Sequence, residues 1–186
     1  MTSVILAPED PALRFDCRQV NTHVRGRRPT MRITDALYGE HGSLYTLMNA
    51  IEGRLAGAEL AELQTSAVLF EAAILAHAHF ENDPFFAALD RVMPGGGPVT
   101  AMRAEHEEIE GELAKVQTSR DAGAARQHLA AAIAEARSHF HKEEVVLFPM
   151  AEQLLAADLL EEMGAAWARN RGVAVRGGAR SAVGAR

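Results

Sequence analysis

Four segments of this 186-residue chain each carry a histidine on an otherwise apolar helical stripe. The stripes run through His41, through His77 and Glu81, through His106, and through His139 and Glu143. In two of the four, the histidine is followed four residues later by a glutamate. An ionisable side chain on a core-facing stripe is strongly disfavoured unless something pairs with it. Six such groups, brought by four helices, require the helices to lie side by side with these faces inward. A shared cation is the partner that satisfies all six most simply.

The spacing of the apolar residues is helical throughout the middle of the chain. From Thr34 onward, Leu37, His41, Leu44, Met48, Ile51 and Leu55 recur at steps of three or four, and Gly57 marks a break. Leu63, Ala67, Phe70, Ile74, His77 and Glu81 form the second stripe, which Pro84 ends or kinks. The PGGGP run at 94–98 reads as a loop, and Thr100 as the N-cap of a third helix with Met102, His106, Ile109, Leu113 and Val116. Gly123 separates a fourth, with Leu129, Ala132, Ala136, His139, Glu143, Val146 and Met150, and Pro149 kinks its end. Leu155, Leu159, Met163 and Trp167 suggest a shorter helix over about 154–168. No stretch alternates with period two. The spacing predicts an all-α fold: an antiparallel up-down four-helix bundle over residues 30–168 with a short C-terminal fifth helix. Residues 1–29, with Pro8, Pro11 and Pro29, read as an irregular leader, and residues 169–186, rich in Gly, Ala and Arg, as a disordered tail.

Composition removes several classes of function. Apolar residues make up 48% of the chain, yet no apolar run approaches the roughly 18 residues of a membrane span. The start, MTSVILAPEDPALRF, has neither a basic n-region nor a long apolar core, so no signal peptide is expected. Cys17 is the one cysteine, which rules out an internal disulfide, a thiolate zinc site and an iron–sulfur cluster. It fits a reducing compartment, and a cytoplasmic location is expected. A net charge of −6 argues against a nucleic-acid binder. The clusters Arg25, Arg27, Arg28 and Arg169, Arg171, Arg176, Arg180, Arg186 read as solvated tails.

On a helix, residues four apart share a face and stand about 6 Å apart along the axis. A His-x-x-x-Glu pair therefore sends both groups to one region of the core. Imidazole with carboxylate suits iron, manganese or zinc. Two glutamates can each bridge two ions, and four histidines can fill terminal positions, two per ion. That leaves an open position where a small diatomic molecule or peroxide binds. Other histidines are weaker candidates. His79 with Asp83 is also an i, i+4 pair, but its apolar stripe is thin; His141 pairs with Val145, which cannot ligate. His23 and His128 fall off the stripes and read as solvated. Glu144, five residues after His139, is the main rival to Glu143. Tyr45 is either a hydrogen-bond donor toward the site or a phenol packed at the stripe edge. Two metal architectures fail on spacing. No histidine has a glutamate three residues before it, as a ferritin-like bundle requires. His106-Glu107 is followed by Glu108, Ile109 and Glu110, which breaks the zinc-protease pattern.

Over roughly residues 33–168 the chain resembles the hemerythrin-like family. HFHKEEVVLFP at 139–149 and HAHFEND at 77–83 are similar to its two His-x-x-x-Glu motifs, and EH at 40–41 and at 105–106 to its single-histidine motifs. The resemblance implies a non-haem site of two iron ions held by His41, His77, His106 and His139. Glu81, Glu143 and an oxo or hydroxo group would bridge them. It further implies binding of dioxygen or of nitric oxide or peroxide. One departure bears on function. Oxygen-carrying hemerythrins have a second histidine on the third helix, where this chain has Glu110. Glu110 either faces solvent or ligates in the histidine's place. Sensing or stress response, catalase-like peroxide decomposition, and iron storage or delivery gain weight over reversible oxygen carriage.

Overall fold

The apolar stripes become the buried faces of four long helices. The computed structural model describes residues 30–93, 95 and 97–174. The long helices are α1 (Ile33–Leu55), α2 (Leu60–Phe80), α4 (Gly97–Thr118) and α5 (Ala122–Lys142). Shorter ones are α3 (Phe86–Val92), α6 (Phe148–Leu154) and α7 (Ala157–Asn170). Among the described residues there is no strand, and the helices form an all-helical bundle. No helix among them is long and apolar enough to cross a membrane. The leader at 1–29, His23 within it, and the tail from 175 lie outside the described residues.

Local chemistry sets the helix ends. At α1 the Arg32 N–H donates to the Asp35 carboxylate at 2.9 Å, and at α2 the Glu59 N–H donates to Glu62 at 2.9 Å. Each satisfies a backbone donor at the entry to its helix. Asp121, not Gly123, starts α5: its side chain accepts from the Ala124 N–H at 3.0 Å. Thr100 is not the cap of α4, because the helix begins three residues earlier at Gly97. Pro98 then falls in the first turn, where its missing N–H costs nothing.

Two wide turns shape the functional end of the bundle. Glu81–Phe85 joins α2 to α3, and Glu143–Leu147 joins α5 to α6. In each, a backbone N–H reaches back five residues rather than four: Phe86 to the Glu81 carbonyl, and Phe148 to the Glu143 carbonyl. The first turn contains an extended Asp83 and a cis Asp83–Pro84 bond. In the second, the extra residue moves the stripe on by one position. Val146, expected inside, is 54% exposed, while Leu147 and Phe148 are buried. The break therefore precedes Pro149, which sits in the first turn of α6, where proline is tolerated.

The last helix also differs from expectation. It starts at Ala157 and buries Leu160, Met163, Gly164 and Ala168, whereas Leu159 is exposed. Gly164 has a physical reason to be glycine. A Cβ there would stand 2.1 Å from the Met31 carbonyl oxygen, so the chain entering α1 crosses α7 where no side chain stands in the way. The helix runs on to Asn170, past the start of the expected tail.

Apolar packing divides into two clusters. One gathers Leu44, Met48, Phe70, Ile109, Leu113, Leu129 and Ile133 among the four long helices. The other gathers Ile33, Leu37, Phe85, Phe86, Leu89 and Phe148 around the wide turns. The six polar residues of the stripes lie in the layer between them.

Candidate metal centre

The helices deliver six ionisable side chains to one buried layer. His41, His77, Glu81, His106, His139 and Glu143 are each at most 5% exposed. Both glutamates sit at the last turn of a long helix, as the first residue of a wide turn. The histidines meet in pairs. Nε2 of His41 and Nε2 of His77 are 3.1 Å apart, and those of His106 and His139 are 2.9 Å apart. Each glutamate faces a histidine from both pairs. Glu81 Oε1 lies 2.9 Å from His77 and Oε2 lies 3.2 Å from His106. Glu143 Oε2 lies 3.3 Å from His41 and 3.4 Å from His139. Two four-residue clusters result, His41–His77–Glu81–Glu143 and Glu81–His106–His139–Glu143, which share both carboxylates.

The far side of the rings fixes where the protons are. His41 Nδ1 donates to Glu144 at 2.8 Å, His77 Nδ1 to Glu40 at 2.9 Å, and His139 Nδ1 to Glu105 at 3.0 Å. An ionised carboxylate only accepts, so each of these Nδ1 atoms carries its hydrogen. A neutral ring so oriented turns the bare lone pair of Nε2 into the centre. All four carboxylate oxygens of Glu81 and Glu143 are buried there without a hydrogen-bond partner among the described residues. The histidine nitrogens stand near them in distance but not aligned as donors. Lone pairs facing lone pairs at about 3 Å repel one another unless a cation lies between them.

Left to itself, the cluster answers with protons. Burial pulls His77 down, but Glu81 and Glu40 outweigh it and lift its pKa to about 9. Burial drives His139 the other way, to about 4. Burial, reinforced by the charge on Glu81, pushes Glu143 well above the usual carboxylate range. For Glu81 the burial penalty is overcome by His77 and its neighbouring histidines, which hold the carboxyl well below that range.

Several residues that support the site were not picked out in the sequence. Glu40 precedes His41 yet serves His77, and Glu105 precedes His106 yet serves His139. The two EH dipeptides carried that signal: a glutamate one position round from a stripe histidine reaches the neighbouring helix. Glu40 and Glu105 are each held by a cation in turn. Arg171 Nε donates to Glu40 at 2.6 Å and its guanidinium donates to the Ala76 carbonyl, while Lys142 donates to Glu105. Arg171 is thus tied into the bundle rather than solvated in the tail. Phe140 stacks on His41 at 4.0 Å between centroids. His106 differs from the other three: its Nδ1 has no partner among the described residues, and its ring stacks on Phe86 at 5.8 Å.

Glu144 lies outside both clusters and orients His41 instead. Glu110 is exposed and also outside both clusters. Tyr45 packs at the stripe edge, its ring edge-on to His41 and Phe140. His79 and His141 are exposed, and His128 is part-buried and paired with Glu112 at 2.7 Å.

The family described as the hemerythrin HHE cation binding domain matches this chain over residues 32–151, and again over 98–173. The chain belongs to that family. Neither curated proteins nor solved structures yield a match. The donor set of this HHE domain fits a cation of the borderline class, four imidazoles and two carboxylates with no thiolate. The spacing fits as well. Two donors at right angles, each about 2.1 Å from one ion, stand about 3 Å apart, which is the separation of each Nε2 pair.

Proposed function

We propose that this HHE domain holds two iron ions and, through them, binds dioxygen or a related small ligand such as nitric oxide or peroxide. Such binding serves sensing or a stress response in the cytoplasm. The observation that carries this reading is the inward convergence of four Nε2 atoms and four carboxylate oxygens without hydrogen-bond partners among the described residues, in two clusters with both glutamates in common. In this reading His41 and His77 would hold one ion and His106 and His139 the other, with Glu81 and Glu143, common to both clusters, available to each. When bound, the iron pair supplies reversible redox change and an open position for a small ligand.

The protein's own residues do the rest. Glu144, Glu40 and Glu105 hold three of the imidazoles in the tautomer and orientation that ligation needs. The apolar clusters on either side keep bulk water out, which strengthens each charge interaction inside. Helix α4 gives one histidine to the layer, and the exposed Glu110 does not replace the second one. An ion held there would have fewer protein ligands on the His106 side. The deep burial of the six residues favours retention of the ions over ready delivery to other proteins.

We read the path of the long helices as an antiparallel up-down four-helix bundle. Four residues join α1 to α2 and three join α4 to α5. Gln64 near the start of α2 exchanges hydrogen bonds with Gln117 near the end of α4, at 3.1 and 2.9 Å. Glu81, just past the end of α2, faces His106 well before the end of α4.

The test is rapid mixing of the iron-loaded, reduced protein with dioxygen and with nitric oxide. A ligand-dependent visible spectrum that is lost in Glu81→Ala is the expected result. Spectra that do not change on mixing would overturn the ligand-binding role.

A further inference from the structure

Helix α2 has two apolar faces, and among the described residues only one of them is covered. Its inner seam, Leu63, Ala67, Phe70, Ile74 and His77, is buried in the bundle. Its outer seam is Ala61, Thr65, Val68, Ala72, Leu75 and His79, at steps of four, three, four, three and four. Every residue of that outer seam is exposed, as are Leu69 and Ala76 beside it. Val68 is 51% exposed, Leu69 59% and Leu75 42%. A seam with a mean step of about 3.5 residues is what one helix presents to another in a coiled coil. A helix that is apolar all round belongs in an interior.

We propose that the outer seam of α2 is the interface of a symmetric homodimer, packed antiparallel against the same seam of a second copy. The seam is complementary to itself in that orientation. Ala61 falls opposite His79 of the second copy, Thr65 opposite Leu75, and Val68 opposite Ala72. Each larger side chain therefore meets a smaller one, as interdigitating layers require. Leu69 meets its own copy beside the two-fold axis. A groove of about 620 Å³ adjoins Ala61 and Thr65, walled by Gly53, Gly57 and Ala58 from the end of α1 and the join. Leu75 of the second copy stands over it.

Charge points to the same occupant. Between Leu60 and Phe80 the helix has no lysine or arginine, and its acids are Glu62 and Glu71. Antiparallel pairing brings Glu59 and Glu62 of one copy beside His79 of the other, at both ends of the interface. The like pair Glu71–Glu71 falls at the hydrated rim, where repulsion is weak. A twofold arrangement is also the commonest closed assembly, since one patch serves both partners.

Sedimentation of the full chain tests this. The wild type is expected at twice the 20.1 kDa chain mass. Leu69→Glu and Leu75→Glu are expected to raise the dimer dissociation constant by more than about 100-fold. Both are expected to leave helix content and metal content unchanged. In a Cys17→Ser background, Leu69→Cys is expected to cross-link two copies on oxidation, and the exposed control Val145→Cys is not. A wild type that stays monomeric over a wide concentration range, or a dimer indifferent to both glutamates, would overturn the proposal. So would cross-linking that is equal in the Leu69→Cys variant and in the control.

Discussion

At the scale of single residues, the site is decided by what lies behind each imidazole. Three of the four histidines have a carboxylate on Nδ1, and two of those carboxylates are clamped by Lys142 and Arg171. Replacing Glu105 or Glu40 by glutamine keeps a hydrogen-bond acceptor but removes its charge. Each substitution is expected to weaken metal retention against a chelator by about 10- to 100-fold with little change in helix content. Competition titration followed by elemental analysis checks this, and unchanged retention would show that the carboxylates only pack. The protons in the cluster give a second prediction, for protein stripped of metal. His77 is raised from 6.5 to about 9, so its stabilisation is complete below pH 6.5 and drains away as pH rises through about 9. His139 is lowered to about 4, so its stabilisation is present above pH 6.5 and drains away as pH falls toward 4. Each limb amounts to roughly 3 kcal/mol. The melting temperature of stripped protein should peak near neutral pH, and His77→Gln should flatten the alkaline side. An alkaline limb unchanged in that variant would contradict the assignment. The stripe spacing pointed to His41, His77, Glu81, His106, His139 and Glu143 because helical periodicity fixes which residues share a face. It did not point to Arg171 or Lys142. Their partners lie on other helices, and nothing local in the chain marks such contacts.

At the scale of elements, the helices followed the apolar pattern, while their ends followed local hydrogen bonding. Asp121 was overlooked as a cap because Gly123 drew the boundary toward itself, although a carboxylate two residues earlier satisfies the first turn better. The register after Glu143 was illegible for a different reason. A five-residue backbone step leaves no mark in residue types, and it moved the buried position from Val146 to Leu147. Glu81 and Glu143 each open such a step, and wide helical turns often accompany functional sites. The crossing of α7 over the start of α1 yields a further expectation. Gly164→Ala places a methyl group against the Met31 backbone, which no side-chain rotation relieves. A loss of about 1–3 kcal/mol is expected in denaturant unfolding, with the midpoint lowered and the slope unchanged. A variant as stable as wild type would mean that the crossing relaxes freely.

At the scale of the whole molecule, the bundle is two apolar clusters with a polar layer between them. Without a metal ion, the layer balances its charge only by taking up protons. Three of its four histidines turn Nε2 inward because carboxylates hold their Nδ1 faces, and its carboxylate oxygens have no hydrogen-bond partners among the described residues. The most direct measurement is therefore the metal content of the purified protein, taken together with its ultraviolet and visible spectrum. Two irons per chain, falling to one or none in His77→Ala and in His139→Ala while the helices remain folded, is the predicted result. A folded wild-type protein that takes up no metal when iron is supplied, or that holds one zinc ion per chain, would contradict a di-iron centre.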